Sequence, residues 1–260
     1  MTGVMRRLRL VAVSWLVHVK ILSRSGPFML FTIVEPVIYA CVAFYLFRAG
    51  DRPGQLLYAA IGAGMLGVWH TTLLGSGQAI TLMRGQGTLE LLVAAPPPFM
   101  WVLAPVTMAS ATVGLYSLAA TLAWGWLLFD VPIRVAHPLL LAVAVLTMMM
   151  GLGLLGVVLA AIFVLYRHAN ALTNLFNYPV WLAAGLLVPV GLLPDWVRPI
   201  SWLLVPTWGV RAVRESFLGG EPLFAIGACL ALTGCYLAVA ILVVRQFERL
   251  ARKHASLALV

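Results

Sequence analysis

The sequence predicts an all-α membrane protein, and three observations support that fold class. Hydrophobic residues make up 63% of the chain and charged residues only 10%, whereas soluble domains average roughly 45–50% and 25%. The apolar residues form continuous runs, and the strands of a membrane barrel would instead alternate apolar and polar residues. Several runs are long enough to cross a bilayer, because about 20 apolar residues in a helix span its hydrocarbon core.

Six transmembrane helices are predicted when the runs are bounded by charged residues, Pro and Gly. They cover residues 28–47, 55–80, 99–129, 138–165, 172–193 and 223–244. Both termini are predicted to be cytosolic, because 11 of the 17 Lys and Arg residues then lie on the cytosolic side, where positive charge is favoured. The net charge of +9 therefore reflects orientation and contact with anionic lipid, and we predict no nucleic-acid partner.

An N-terminal interfacial helix is predicted at 4–25, ahead of the first span. Its basic side chains limit how deeply it enters the bilayer, which is typical of an amphipathic helix in the cytosolic interface. The alternative is a first span that these charges interrupt. The residues on its apolar face are Leu8, Val11, Trp15, Val19 and Leu22.

A carboxylate and a proline, Glu35 and Pro36, fall inside the first span. Proline removes a backbone hydrogen bond and tends to kink a helix. Glu35 lies about nine residues from the cytosolic end, so it is roughly 13 Å deep at 1.5 Å per residue. A carboxylate at that depth must face the bundle interior or water. It is either part of a substrate path or a hydrogen-bonded structural group, and the sequence leaves both open.

The second span carries a pattern of small residues at Ala59, Ala63 and Gly67. Small residues four positions apart let neighbouring helices approach closely, so we expect this helix to be tightly packed. His70, farther along the same span, is expected to hydrogen-bond within the bundle.

The segment MRGQGTLELLVAAPPP, residues 83–98, is predicted to form a cytosolic loop with a short helix. Its glycines permit a turn, its threonine caps the helix that follows, and its three prolines end that helix. The apolar face of the helix consists of Leu89, Leu92 and Val93. The loop is thus expected to hold a short helix rigidly at the membrane surface, with an apolar face available for a partner.

Three asparagines, Asn170, Asn174 and Asn177, lie on one helical face near the start of the fifth span. Unsatisfied polar groups are costly in lipid, so this stripe must face protein or water. It either joins helices to one another or lines a translocation path.

A re-entrant segment is predicted at 194–218, after the fifth span. Four prolines and three tryptophans fall between residues 189 and 208, which no straight transmembrane helix tolerates, and tryptophan favours the membrane interface. We expect two short helices that enter the outer leaflet, return, and cap the outer face.

The sequence lacks the motifs that would power transport or catalysis in this chain. A nucleotide-binding loop ends in Gly-Lys-Ser/Thr, and the two lysines, Lys20 and Lys253, follow Val and Arg. No catalytic constellation and no metal site is predicted. We therefore expect that this chain is not an enzyme and has no ATPase site of its own.

Two stretches together resemble the ABC-2 type permeases, the six-span membrane subunits of ATP-driven exporters. RGQGTLELLVAAPPP is similar to their cytosolic loop, in which a charged residue precedes Gly-Thr-Leu-Glu, apolar residues and Pro. NYPVWLAAGLLVPVGLLPDWVRPISWLLVPTWGVRAVRE is similar to their second signature, in which a span with Pro and Gly precedes Leu-Pro and an Arg-containing helix. The basic N-terminal helix resembles the interfacial helix of that family, so the resemblance extends over nearly the whole chain.

The resemblance implies a single ABC-2 type transmembrane domain over 1–260, a second permease protomer, homo- or heterodimeric, and a cytosolic ABC ATP-binding subunit that holds ATP and Mg. This chain would bind no cofactor itself. The helix around Thr88–Ala94 would be the coupling helix, and 194–218 would close the outer side of the pathway. The implied ATPase-coupling residues are Arg84, Gly87, Thr88, Leu89, Glu90, Leu92 and Val93.

The expected function is export of a hydrophobic or amphipathic substrate (a drug, antibiotic, lipid or lipid-linked glycan) across the cell membrane, taken to be the bacterial plasma membrane. The substrate path would include Glu35, Asn170, Asn174 and Asn177. The alternative is an ion-coupled secondary transporter that uses the same carboxylate and asparagine face.

Overall fold

The structure, a computed structural model, describes residues 3–48, 54–88, 91, 98–165 and 169–254. These residues form helices or short connections, and none of them forms a β-strand. The helices are α1 Gly3–Arg24, α2 Gly26–Arg48, α3 Gly54–Gly85, α4 Met100–Phe129, α5 Pro138–Leu165, α6 Ala169–Ala183, α7 Arg198–Leu203, α8 Val205–Leu218 and α9 Pro222–His254, with a short 3₁₀ helix at Val190–Leu192 before α7.

Five of the described helices are long and apolar enough to cross a membrane: α2, α3, α4, α5 and α9. They correspond to five of the six predicted spans, so the all-helical, multi-pass membrane character is confirmed. The predicted fifth span, 172–193, is shorter than expected, because α6 ends at Ala183. Gly185 follows in a left-handed conformation with φ of +72°, which favours glycine and commonly ends a helix, and Pro189 comes soon after.

The core is built around α3. In its spanning segment 83% of residues are buried, against 28% in α2 and 22% in α9. The helix packs most extensively on α4 and also contacts α2, α5, α6 and α8. The outward faces of α2 and α9 are therefore the surfaces left for lipid or for another chain.

Close helix contacts in the core depend on small residues, as the sequence predicts. Ala59 and Ala63 are buried, and a methyl group added at Gly67 would overlap Pro36 of α2 and Ser117 of α4. The helices α3 and α4 approach closely at a second point, because a Cβ at Gly114 would lie 2.9 Å from the Cα of Val68. These contacts fix the register of α2 and α4 on α3.

The proline in α2 frees a backbone carbonyl, and a neighbouring helix satisfies it. Pro36 lies inside α2 and has no N–H, so the carbonyl of Thr32, four residues earlier, loses its usual helical donor. The buried hydroxyl of Ser117 in α4 donates to that carbonyl at 2.6 Å. Side chains of neighbouring helices commonly re-satisfy such groups in membrane proteins.

The N-terminal helix α1 packs mainly along α4. Trp15 donates from Nε1 to Oγ1 of Thr112 at 3.0 Å, and three other residues of the predicted apolar face, Val11, Val19 and Leu22, are half-buried. That face is therefore partly covered by protein. Other apolar side chains of α1, such as Leu10 and Ile21, are exposed. A helix at 4–25 is confirmed, and its interfacial placement stays a prediction.

Two short helices, α7 and α8, occupy the predicted segment 194–218. They meet at Leu204, whose backbone is extended, with Pro206 in the first turn of α8. Most of α8 is buried against α5, α9 and α3, and the connection before α5 hydrogen-bonds to the end of α8 through the amide of His137 and the carbonyl of Ser216, 3.0 Å apart. Two short helices are thus present as predicted, and their position in the outer leaflet stays a prediction.

Candidate functional sites at the coupling loop and the α2–α3 cleft

The end of α3 turns sharply into the predicted coupling loop. Arg84 lies in the last turn of α3, and the amide of Gly87 donates to its carbonyl at 3.1 Å. Gly87 has a φ of +66°, in the left-handed region that favours glycine. The glycine signal in the sequence therefore correctly marked the turn.

The threonine after this turn closes the preceding helix. Oγ1 of Thr88 donates to the carbonyl of Met83 at 3.1 Å, whereas the sequence suggested that Thr88 caps the next helix. The amides it would cap there lie at or near the residues left undescribed. Four of the predicted coupling residues lie outside the described residues: Leu89, Glu90, Leu92 and Val93.

One exposed leucine lies just before the loop and another lies within it. Leu91 has helical backbone and a side chain that is 72% exposed, and Leu82, in the last turn of α3, is also exposed. The far end of the loop is anchored, because Phe99 is buried in a separate cluster of apolar side chains from α3, α4, α5 and α9. The loop thus leaves and re-enters the bundle at fixed points and presents apolar surface outside it.

The carboxylate of Glu35 contacts the imidazole of His70 between α2 and α3. Oε2 of Glu35 lies 2.5 Å from Nδ1 of His70, and Tyr39 donates from its hydroxyl to Oε1 of Glu35 at 3.4 Å. The two paired side chains are 28% and 19% exposed, so the pair borders open space. The sequence singled out Glu35 but assigned no partner to it, and the pairing follows from the packing of α2 on α3.

The Glu35–His70 pair borders a cleft of about 170 Å³. Phe28, Phe31 and Leu74 supply apolar wall, while Thr32, Thr71 and Gln78 supply polar groups. The cleft extends from the corner between α1 and α2 to the level of the carboxylate. It is large enough for a small organic group, since a cavity of roughly 150 Å³ accommodates benzene.

The asparagine stripe is on α6, and none of its residues is among those that line this cleft. Asn170 lies in α6; its side chain is outside what the structure describes. Asn174 is exposed and Asn177 is half-buried, and neither amide hydrogen-bonds to another described residue. Tyr178, on the same helix, lies within electrostatic range of Tyr39. The described asparagines therefore do not join helices within this chain.

A larger cavity of about 480 Å³ lies at the predicted outer face, between α8 and the segment that follows α6. Its lining includes Trp202, Trp208, Arg211, Arg214 and Glu215. Arg211 pairs with Glu215 at 2.7 Å, which leaves Arg214 without a carboxylate partner among the described residues. The cavity is walled by the segment that the sequence predicted as an outer cap.

Arg214 ties three parts of the chain together, a role that sequence reasoning missed. It is only 7% exposed and donates to the hydroxyl of Tyr58 at 2.7 Å, to the carbonyl of Gly185 at 3.0 Å and to the carbonyl of Leu186. Burial lowers the pKa of Arg214 to about 10, and Tyr58 opposes part of that change, so the guanidinium remains cationic at neutral pH.

The arrangement is suited to binding and conformational coupling. Among the described residues, no group of three His, Cys, Asp or Glu side chains could hold a metal ion. The described part of the chain offers exposed leucines near the turn at Gly87, a cleft lined by Glu35 and His70 and an outer cavity.

A family model described as ABC-2 type transporter matches residues 10–218. The chain belongs to the ABC-2 type transporter family. A comparison with curated proteins finds no match.

The ABC-2 match begins within α1 and ends at the last residue of α8. It therefore includes the loop at 84–98, the Glu35–His70 cleft and the segment 194–218, while α9 lies beyond it. The resemblance inferred from the two sequence signatures is confirmed, and the chain contains an ABC-2 transporter membrane domain.

Proposed function

We propose that this ABC-2 chain is the permease subunit of an exporter that moves a hydrophobic or amphipathic substrate across the bacterial plasma membrane. ATP with Mg is bound and hydrolysed by a separate cytosolic ABC ATP-binding subunit. Two permease protomers form the pathway, each with six spans and both termini in the cytosol. The observation that carries the proposal is the family match, because it covers the loop, the cleft and the outer helices together.

The loop at 84–98 is the site where the ATPase acts. The turn at Gly87, the exposed Leu82 and Leu91 and the buried anchor at Phe99 support this role. A partner that pushes on this loop can displace α3 and α4, because the loop joins the end of α3 to the buried Phe99 at the start of α4. The predicted coupling residues Leu89 and Leu92 then supply apolar contact to the ATPase.

Substrate moves between the protomers, past the asparagine face of α6. Exposed Asn174 and half-buried Asn177 have no partners within the described chain, and polar groups in a span must face protein or water. The segment 194–218 closes the outer side of this pathway, with the outer cavity behind it.

The experiment replaces Leu89 and Leu92 with Asp. Because each charge removes apolar contact and adds a desolvation cost, the ATPase should fail to co-purify, and ATP-dependent transport in proteoliposomes should fall at least about tenfold. The matched control is Leu139→Asp at the exposed start of α5, on the predicted outer side, which should leave co-purification intact. Unchanged co-purification in the loop variant would refute the docking role.

A second candidate is an ion-coupled carrier, and the Glu35–His70 pair favours it, because ionisable pairs in spans can relay protons. Reconstituting the chain without any ATPase separates the two. Uptake driven by an ion gradient alone supports the carrier, and its absence together with ATP-dependent transport in the complex supports the exporter.

A further inference from the structure

We infer that the cleft between α2 and α3 binds an organic cation whose charged head is about the size of a trimethylammonium group. This assigns a substrate class to the exporter and in that respect rests on the proposed function. The binding step itself needs neither ATP nor the ATPase, so it can be tested independently.

The charge of the cleft favours a cation. Among the described residues that line it, Glu35 is the acid, His70 is the base, and none is Lys or Arg. A neutral imidazole leaves the pair with a charge of −1 and a protonated one leaves it at zero, so the pair is not positive in either state. An anion would therefore find no net positive charge there.

The carboxylate also has unused binding capacity. An ionised carboxylate offers about four lone-pair sites. In this chain His70 takes one at 2.5 Å, and the Tyr39 hydroxyl takes another only weakly at 3.4 Å. The pair is partly exposed toward the cleft, so a ligand can reach it without unfolding a helix.

Size and wall chemistry restrict the cation further. The cleft has a volume of about 170 Å³ and is walled by the aromatic rings of Phe28 and Phe31. Aromatic faces attract quaternary ammonium groups, and a cavity of roughly this size accommodates a group as large as benzene. A carboxylate at one end and aromatic rings along the side together suit a compact, poorly hydrated cation with an apolar tail.

The test measures equilibrium binding of radiolabelled phenyltrimethylammonium to the full-length chain in non-ionic maltoside micelles. Two competitors of similar shape test whether the charge of the probe determines its binding: neutral tert-butylbenzene and anionic benzenesulfonate. We expect saturable binding at least about tenfold tighter than that of tert-butylbenzene, and no competition by benzenesulfonate. Equal affinity for the neutral isostere overturns the inference.

Variants then locate the site. Glu35→Gln should weaken cation binding at least about tenfold and leave tert-butylbenzene competition unchanged. The control is Glu215→Gln, which neutralises a carboxylate of similar exposure, 23%, in the outer cavity and should not alter binding. If Glu35→Gln does not fold, Phe31→Leu tests the site instead, because Phe31 is on the exposed face of α2. Loss of its ring should weaken cation binding roughly two- to fivefold. Cation binding that is unaffected by these cleft variants overturns the assignment.

A last arm identifies the source of the cation. Phosphatidylcholine added to the micelles carries the same trimethylammonium head. Displacement of the probe by this lipid at a few molecules per chain assigns a lipid headgroup to the cleft, whereas retention of the probe assigns a free amphipathic cation; either supports the site. ATP-driven transport of other substrates by a chain that binds no cation would refute this inference and leave the proposed function standing.

Discussion

Ser117 supplies the hydrogen-bond donor that a backbone carbonyl of α2 lacks because of the proline in that helix. Its hydroxyl reaches the carbonyl of Thr32 that Pro36 leaves without a donor. Interhelical hydrogen bonds in membrane proteins contribute about 0.6–1.7 kcal/mol by double-mutant cycles. We expect Ser117→Ala to lower the free energy of unfolding by that amount, measured by denaturant titration in detergent micelles.

A double-mutant cycle with Pro36→Ala tests the reason for that loss. Alanine at position 36 restores the N–H that a regular helix directs at the carbonyl of Thr32, so Ser117→Ala should cost clearly less in that background. An equal cost in both backgrounds would mean that Ser117 acts through packing alone.

A second residue-scale prediction concerns the guanidinium of Arg214. Lysine at this position keeps the charge but is a point charge that cannot donate in a fork to several acceptors at once. Two buried carbonyls, at Gly185 and Leu186, then lose donors, which should cost about 1–3 kcal/mol. The free energy of unfolding of Arg214→Lys reports this loss.

The same substitution at Arg211 is the matched control. Arg211 is more than half exposed and pairs with Glu215 one turn away, and exposed pairs of this kind contribute only about 0.3–0.5 kcal/mol. If Arg211→Lys destabilises the chain as much as Arg214→Lys does, the hydrogen bonds of Arg214 to Tyr58, Gly185 and Leu186 do not make the proposed contribution to stability.

Residue chemistry was predictable from the sequence only where it depends on local geometry. The turn at Gly87 follows from a local glycine signal, and the packing of Gly67 follows from a helical repeat. The Glu35–His70 pair and the Arg214–Tyr58 contact join residues 35 and 156 positions apart, so they depend on how α3 packs against α2 and α8. The spacing of residues along the sequence does not predict which side chains of two packed helices come into contact.

At the scale of elements, hydropathy predicted five long helices well but overestimated α6. The apolar run at 172–193 continues past Ala183, whereas the backbone ends the helix there because Gly185 adopts positive φ. Hydropathy reports the solvent around a segment and not its backbone conformation. The pair α7–α8 was predictable, because clustered prolines restrict the backbone directly.

The contact between α3 and α4 gives an element-scale prediction. In Gly114→Ala the new methyl group meets the Cα of Val68 at 2.9 Å, and backbone cannot yield as a flexible side chain would. We expect the free energy of unfolding to fall by roughly 1–3 kcal/mol, as in overpacked cores.

Gly234 of α9 supplies the control for that substitution. A Cβ there meets no atom within 4 Å, so Gly234→Ala should be neutral or stabilise the helix by about 0.5–1 kcal/mol. A matched loss at both positions would attribute the effect to glycine in helices generally and not to the α3–α4 contact.

At the scale of the whole molecule, one side of the bundle exposes a polar side chain that has no partner among the described residues. The exposed side chain of Asn174 has no partner among the described residues, and Tyr178 and Leu175 beside it are also exposed. Lipid satisfies apolar groups but not amides. The exposed face of α6 is therefore the surface that a second permease protomer is expected to cover. The exposed face of α9 carries apolar residues such as Leu230 and Leu242 that suit lipid.

Cross-linking tests which side the second protomer covers. With Cys41, Cys229 and Cys235 replaced by Ala, Asn174→Cys should give a dimer band with a short bis-maleimide in native membranes, because the same position of both copies would lie near their shared interface. Leu230→Cys, exposed on α9, should remain monomeric under the same conditions. Cross-linking through Leu230→Cys and not through Asn174→Cys would assign the interface to α9, and the amides of α6 would then have to face water within a single chain.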